Sequence, residues 1–156
     1  MGSEMCIRDR IERDYPQKAL ESHLPSTIPN AISAAVSSIA RQINAAAIIP
    51  LTKSGATAKN VSKFRPATPV LAVTNERTVA STLQLVWGVT PLLIENQTST
   101  SKTFDDAMAM AKKMNILKQG DLVVETAGTL SGVSGSTDLV KVGIVSSEEE
   151  TETLFM

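Results

Sequence analysis

A short polar turn between two apolar segments carries the residue types that bind phosphate. It follows the apolar run 45–49 and brings three hydroxyls, one ammonium and one glycine together: Thr52, Lys53, Ser54, Gly55, Ala56 and Thr57. The first amides of a helix lack internal partners, and the helix dipole favours an anion there. Hydroxyls and a lysine would complete a phosphate shell. The spacing predicts a phosphate site, and a plain, well-capped strand-to-helix turn fits it equally well. The turn is not the glycine-rich phosphate loop of nucleotide hydrolases, because only one glycine is present.

A second polar loop, at 127–138, contains three glycines and several hydroxyls. Glycines allow the backbone to approach a ligand closely. We expect this loop to close over a ligand held at 52–57 and to be mobile without it, whereas a flexible hairpin without any ligand is the alternative. The candidate residues are Gly128, Ser131, Gly132, Ser134, Gly135, Ser136 and Thr137.

Helices and strands must alternate to position these two loops. Apolar residues at spacings of three and four predict a helix over 27–43, with Thr27 as its N-cap. The other predicted helices are 57–65, one capped by Asn75, and one capped by Thr103 with Asp105 and Asp106 in its first turn. Short apolar runs predict strands at 45–49, 70–73, 89–94, 122–124 and 139–145.

This alternation predicts an α/β fold with three layers, α/β/α, around a largely parallel sheet. The last two strands are joined by a loop without a helix, which favours an antiparallel return. We therefore expect a five-stranded mixed sheet whose last strand is antiparallel. Ligands of open α/β sheets bind beyond the carboxyl ends of the strands, where both polar loops should lie.

Composition indicates one folded domain. The chain has 156 residues, 42% of them hydrophobic, and a formal net charge of -1, so nothing points to a nucleic-acid or membrane surface. A single cysteine, Cys6, permits no internal disulfide and suits a cytoplasmic location. No Cys/His cluster has metal-binding spacing. We interpret 1–10 as cloning-derived, 11–26 as a linker, 27–146 as the domain and 147–156 as an acidic tail.

Five segments in series resemble the C-terminal domain of pyruvate kinase, of the bacterial type. They are LTKSGATAKNVSKFRP at 51–66, PVLAVT at 69–74, LVWGV at 85–89, GDLVV at 120–124 and GVSGST at 132–137. The resemblance extends over roughly 27–145. It implies the same mixed-sheet architecture, and a regulatory domain that binds a phosphorylated sugar or nucleotide and supports a homo-oligomer of the full enzyme.

The resemblance also implies that this chain alone is not an enzyme. In pyruvate kinase a barrel domain transfers phosphate from phosphoenolpyruvate to ADP, and the magnesium and potassium ions would belong to that barrel. Relatives activated by fructose 1,6-bisphosphate hold its second phosphate with a Trp and an Arg near the positions of Asn96 and Thr103. Ala56 also stands where many relatives have a polar or cationic residue. A monophosphate such as ribose 5-phosphate, glucose 6-phosphate or AMP is therefore favoured.

Two other interpretations fit the sequence. The chain could be a free-standing α/β protein that binds a small phosphorylated molecule or hydrolyses one. It could also be a purely structural fragment that only contacts other subunits. Ligand titration distinguishes the structural interpretation from the two that involve a ligand.

Overall fold

The computed structural model describes residues 27–95, 97–128 and 136–146, in which helices and strands alternate until the final pair of strands. The helices are α1 (Ile28–Gln42), α2 (Ala56–Lys63), α3 (Arg77–Leu83) and α4 (Thr100–Lys113). The strands are β1 (Ala47–Pro50), β2 (Val70–Thr74), β3 (Val89–Leu93), β4 (Leu122–Gly128) and β5 (Thr137–Ile144).

The five strands form one mixed sheet in the order β3-β2-β1-β4-β5. The first four strands are mutually parallel, and β5 pairs antiparallel with β4. Both the α/β class and the antiparallel last strand are thus confirmed. The absence of a helix between β4 and β5 explains the reversal, because a parallel return would need a crossover long enough to span the sheet.

Two apolar clusters lie on opposite faces of the sheet and define the three layers. One cluster packs α1, α2 and α3 against the sheet and includes Val36, Val61 and Leu83. The other packs α4 against the opposite face and centres on Phe104, which is 1% exposed. Since both faces are covered, β1 and β2 are buried along their entire length.

Helix starts agree with the sequence at α1 and differ at α3 and α4. Thr27 caps α1, and its hydroxyl accepts a hydrogen bond from the Asn30 amide at 3.4 Å. The predicted cap Asn75 is wrong, because Glu76 holds the N-cap position of α3.

The predicted cap of α4, Thr103, is wrong as well. Ser99 caps this helix and accepts from the Lys102 amide at 3.2 Å. Thr103 lies within the first turn, where its hydroxyl donates to the Ser99 carbonyl at 2.7 Å. Asp105 and Asp106 therefore fall in the second turn rather than the first.

Candidate functional site

The two polar loops predicted from the sequence begin at neighbouring strands. β1 and β4 are adjacent and parallel, with Pro50 opposite Thr126 near their carboxyl ends. From β1 the chain first adds strands on one side, and later adds β4 and β5 on the other side. Such a reversal of strand order opens a crevice beyond the carboxyl ends of the two central strands, and ligands of α/β proteins bind in that crevice.

The turn that follows β1 is anchored to the strands on both sides. The Leu51 amide donates to the Thr126 carbonyl of β4 at 2.8 Å, and the Thr52 amide donates to the Val73 carbonyl of β2 at 2.9 Å. Thr52 is buried, while Lys53 and Ser54 are exposed. The sheet thus fixes the start of the turn, and the turn presents an ammonium and a hydroxyl to solvent.

Helix α2 begins without a side-chain cap. Gly55 occupies its N-cap position with a φ of 84°, in the left-handed region that glycine adopts without strain. Within the described residues, the first amides of the helix, at Ala56, Thr57 and Ala58, donate to no backbone carbonyl. By contrast, hydroxyls cap α1 and α4. These amides lack a backbone acceptor, and the positive end of the helix dipole favours an anion at this terminus.

Helix α3 packs against the turn at Gly55. A Cβ atom added at Gly55 would lie 3.3 Å from Leu83 Cδ2 and 3.4 Å from Val79 Cγ1, which is tight packing. A groove of about 170 Å³ opens between the start of α2 and one side of α3. Its lining residues are Ser54, Gly55, Lys59, Thr78, Val79, Thr82 and Leu83. Sequence reasoning missed the contributions of Lys59, Thr78 and Thr82, since only the packing of α3 against α2 brings them to the turn.

The second loop is described only at its two ends. Gly128, Ser136 and Thr137 lie within the described residues, whereas the predicted candidates Ser131, Gly132, Ser134 and Gly135 lie outside them. Gly128 leaves no room for a side chain, because an added Cβ would lie 2.8 Å from both the carbonyl oxygen and the Oγ of Ser136. The two ends of the loop therefore pass each other closely at this glycine.

A β-bulge directs Thr137 towards the turn 52–57, which we call the phosphate turn because the sequence predicts a phosphate site there. Ala127 pairs with Leu139, but the next pair is Gly128 with Thr137, so Asp138 is an extra residue in β5. Thr137 is 1% exposed, and its Oγ1 lies 2.8 Å from Oγ1 of Thr57 in the first turn of α2. The fold thus joins one predicted candidate from each loop in a buried hydrogen bond.

A buried carboxylate lies in β4, one residue before Thr126. Glu125 of β4 is 0% exposed, and Lys141 Nζ of β5 lies 3.0 Å from its Oε2. Apart from this ion pair, neither carboxylate oxygen accepts a hydrogen bond of good geometry in the part of the chain described. Burial raises the pKa of the Glu125 carboxyl above its ordinary 4.5; Lys141 opposes the rise and Asp105 adds to it.

Two further observations bear on the kind of site. Within 27–95, 97–128 and 136–146, no group of three or more His, Cys, Asp or Glu residues is arranged to hold a metal ion. Among the same residues, no helix is long and apolar enough to cross a membrane. The residues of the predicted phosphate turn thus lie at the carboxyl edge of an α/β sheet.

Comparison with known proteins assigns the family. A family model described as "Pyruvate kinase, alpha/beta domain" matches residues 30–143, and the chain belongs to this family. Pyruvate kinase 2 of Synechocystis is 55% identical over 139 residues, which are 89% of this chain and 24% of that protein. Pyruvate kinase of Lactobacillus delbrueckii subsp. bulgaricus is 35% identical over 128 residues, which are 82% of this chain and 22% of that protein.

A solved structure agrees with this assignment. The structure of Cryptosporidium parvum pyruvate kinase in complex with ADP superposes with a TM-score of 0.71 at 26% sequence identity, covering 92% of this chain and 27% of that one. The chain therefore spans about a quarter of the length of the pyruvate kinases that it matches. It corresponds to their C-terminal α/β domain, as its sequence motifs predicted.

Proposed function

We propose that this chain is the regulatory domain of a pyruvate kinase and binds a phosphorylated effector at the turn 52–57. The observation that carries the proposal is the uncapped start of α2 at the reversal of strand order, next to the exposed Lys53. A tetrahedral dianion there would accept hydrogen bonds from the first amides of α2 and gain the charge of Lys53. Family membership makes such a regulatory role the expected one.

The effector is a sugar or nucleotide monophosphate. A second phosphate would need another cationic side chain, and Thr103 supplies none: it is 1% exposed and its hydroxyl donates to the Ser99 carbonyl. Lys59 in the groove is the cation that a bisphosphate would have to use instead, so the bisphosphate belongs in the test. Asn96, the other residue considered for this role, lies outside the described residues. Ribose 5-phosphate, glucose 6-phosphate and AMP are accordingly the first compounds to test, with fructose 1,6-bisphosphate as the comparison.

A thermal-shift panel tests the proposal. The 156-residue chain is heated with each compound at equal ionic strength, and the same series is repeated with Lys53→Ala. A ligand at 100 times its dissociation constant stabilises by about 2.7 kcal/mol. We expect a monophosphate to raise the melting temperature of the wild type more than that of the variant. No ligand-dependent shift in the wild type, or equal shifts in both proteins, would contradict a site at this turn.

The catalytic role belongs to the rest of the parent enzyme. That enzyme would transfer phosphate from phosphoenolpyruvate to ADP with the magnesium and potassium of its barrel, and this domain would support its homo-oligomer. Effector binding here would then bias an equilibrium sensed at the distant active site. The isolated chain should form no pyruvate from phosphoenolpyruvate and ADP in a coupled assay. Turnover by the pure chain would contradict the regulatory assignment.

A further inference from the structure

The ion pair of Glu125 and Lys141 is unusual because the carboxylate is fully buried. Glu125 is 0% exposed, while the Lys141 side chain is 53% exposed, with its Nζ 3.0 Å from Glu125 Oε2. The two residues are direct partners across β4 and β5. A buried carboxylate that loses its cationic partner is strongly unfavourable, so this pair discriminates between alternative alignments of the two strands.

Gly143 provides the space for the same carboxylate. A Cβ atom added at Gly143 would lie 2.7 Å from Glu125 Oε1 and 3.2 Å from Val123 Cγ2. The carboxyl group thus lies between the ammonium of Lys141 and the bare backbone of Gly143, two residues further along β5. Glu125, Lys141 and Gly143 form a complementary set, which we call the register lock.

The Thr126 hydroxyl, which donates to the Leu139 carbonyl at 2.8 Å, also favours this register, but the connecting loop and the exposure of β5 specify it only weakly. The connection from Gly128 to Thr137 is far longer than the two-residue turns that fix the pairing of tight hairpins. β5 is an edge strand, and Thr137 is the one residue in it that is buried. A slip of two residues would keep every side chain on its face but would place Leu139 or Gly143 opposite Glu125. The carboxylate would then be buried without Lys141.

The register of β5 decides where Thr137 lies. From the Glu125–Lys141 pair the ladder continues through Thr126–Val140 and Ala127–Leu139 to the bulge, which brings Thr137 opposite Gly128. Thr137 then meets Thr57 at 2.8 Å in the first turn of α2. A displaced β5 would withdraw this hydroxyl from the start of the helix.

We propose that the register lock is a positioning device for the anion site: it holds β5 in the alignment that delivers Thr137 to Thr57. The inference rests on the proposed function, since it assigns a role to the lock in binding at the turn 52–57. The lock acts through Thr137 and touches no ligand itself.

The test separates positioning from stability by replacing the pair with two apolar side chains. Glu125→Met/Lys141→Met removes the buried carboxylate together with its half-exposed cation, and apolar replacement of buried charged groups is often neutral or stabilising. Sulfate serves as the probe, and its apparent affinity is taken from thermal shifts of the full chain. We expect E125M/K141M to melt at or above the wild-type temperature but to bind sulfate about three- to tenfold more weakly, the range expected for one hydrogen bond.

Three controls make each outcome decisive. Sulfate also stabilises proteins without a site, and Lys53→Ala measures that contribution. If K53A responds like the wild type, the proposed function is wrong; if K53A loses the response while E125M/K141M keeps it, only the positioning role is overturned. Lys141→Arg retains the cation and should bind sulfate like the wild type. Should E125M/K141M fail to fold, Glu125→Gln replaces it, and unchanged sulfate affinity in that variant overturns the role.

Discussion

The hydroxyls of Thr57 and Thr137 lie 2.8 Å apart although the residues are separated by 80 positions in the chain. Thr57 belongs to the first turn of α2, and Thr137 begins β5. Both side chains are buried, with exposures of 6% and 1%. This hydrogen bond directly links the phosphate turn to the hairpin, so replacing either residue leaves the other hydroxyl without this partner.

We predict that Thr57 and Thr137 are energetically coupled. Thr57→Val or Thr137→Val alone leaves the partner hydroxyl buried without its partner, which costs about 1–3 kcal/mol. The double variant removes both hydroxyls and should lose clearly less than the sum of the two single losses. Urea unfolding of the four proteins measures this, with Thr98→Val as an exposed control. Additive losses would mean that the contact contributes nothing to stability.

Lys53 should contribute to phosphate affinity through its charge. Because charge-assisted hydrogen bonds contribute about 1.5–3 kcal/mol, Lys53→Ala should weaken ribose 5-phosphate by one to two powers of ten. Lys63→Ala is the matched control, since Lys63 is an exposed lysine at the opposite end of α2 that bonds to Asn60. Calorimetric titration measures both. Similar losses in the two variants would indicate general charge attraction instead of a site.

Gly55 should tolerate a side chain less well than another glycine with the same backbone conformation. Gly55 and Gly120 have φ values of 84° and 86°, so alanine costs about 1–2 kcal/mol of strain at either. An added Cβ at Gly120 meets nothing within 4 Å, whereas at Gly55 it presses on Leu83. Urea unfolding should therefore show Gly55→Ala to be less stable than Gly120→Ala by about 1 kcal/mol. Equal stability of the two variants would mean that α3 does not hold the turn.

The stability of the protein should carry a pH-dependent contribution from Glu125. Its folded pKa lies above the unfolded value of 4.5, so the folded state holds this proton more tightly. The free energy of unfolding of the wild type relative to Glu125→Gln should therefore be highest below pH 4.5 and should fall as the pH rises through the folded pKa.

Urea unfolding of both proteins from about pH 4 to about pH 8 measures this difference. Glu95→Gln is the control, because Glu95 forms an exposed ion pair with Arg77 that contributes little. A wild-type advantage that grows with pH would mean that Lys141 outweighs burial in setting the pKa of Glu125.

The fold was predictable because its signals are local. The apolar spacing of α1 and the cap at Thr27 are visible within a few residues, and so are the buried strands. The start of α4 was misplaced because Ser99 and Thr103 are both cap residues one turn apart, and the apolar face begins only at Phe104. Which of these two hydroxyls accepts the capping hydrogen bond from a backbone amide depends on the packing of the whole helix.

The parts of the site that escaped prediction depend on contacts distant in sequence. Strand β4 was predicted to end at Val124, yet it continues to Gly128, and Glu125 within it is buried opposite Lys141. No pattern within the sequence of β4 indicates that Lys141 will lie opposite Glu125. The contact of Thr57 with Thr137 likewise needs a bulge whose position is set by the pairing of two strands, and single-sequence patterns carry no signal for it.

The strand order also sets the sequence of events when the chain is synthesised. β1 lies at the centre of the sheet, but its neighbour β4 leaves the ribosome only after β2 and β3 have been made. Because domains are made from the N-terminus, the nascent chain first holds half a sheet with one side of β1 unpaired. Pairing of β1 with β4 closes a long loop and is intrinsically slow. The proposed anion site would therefore be completed late in folding, and a chain truncated before β4 would lack it although the residues 52–57 are present.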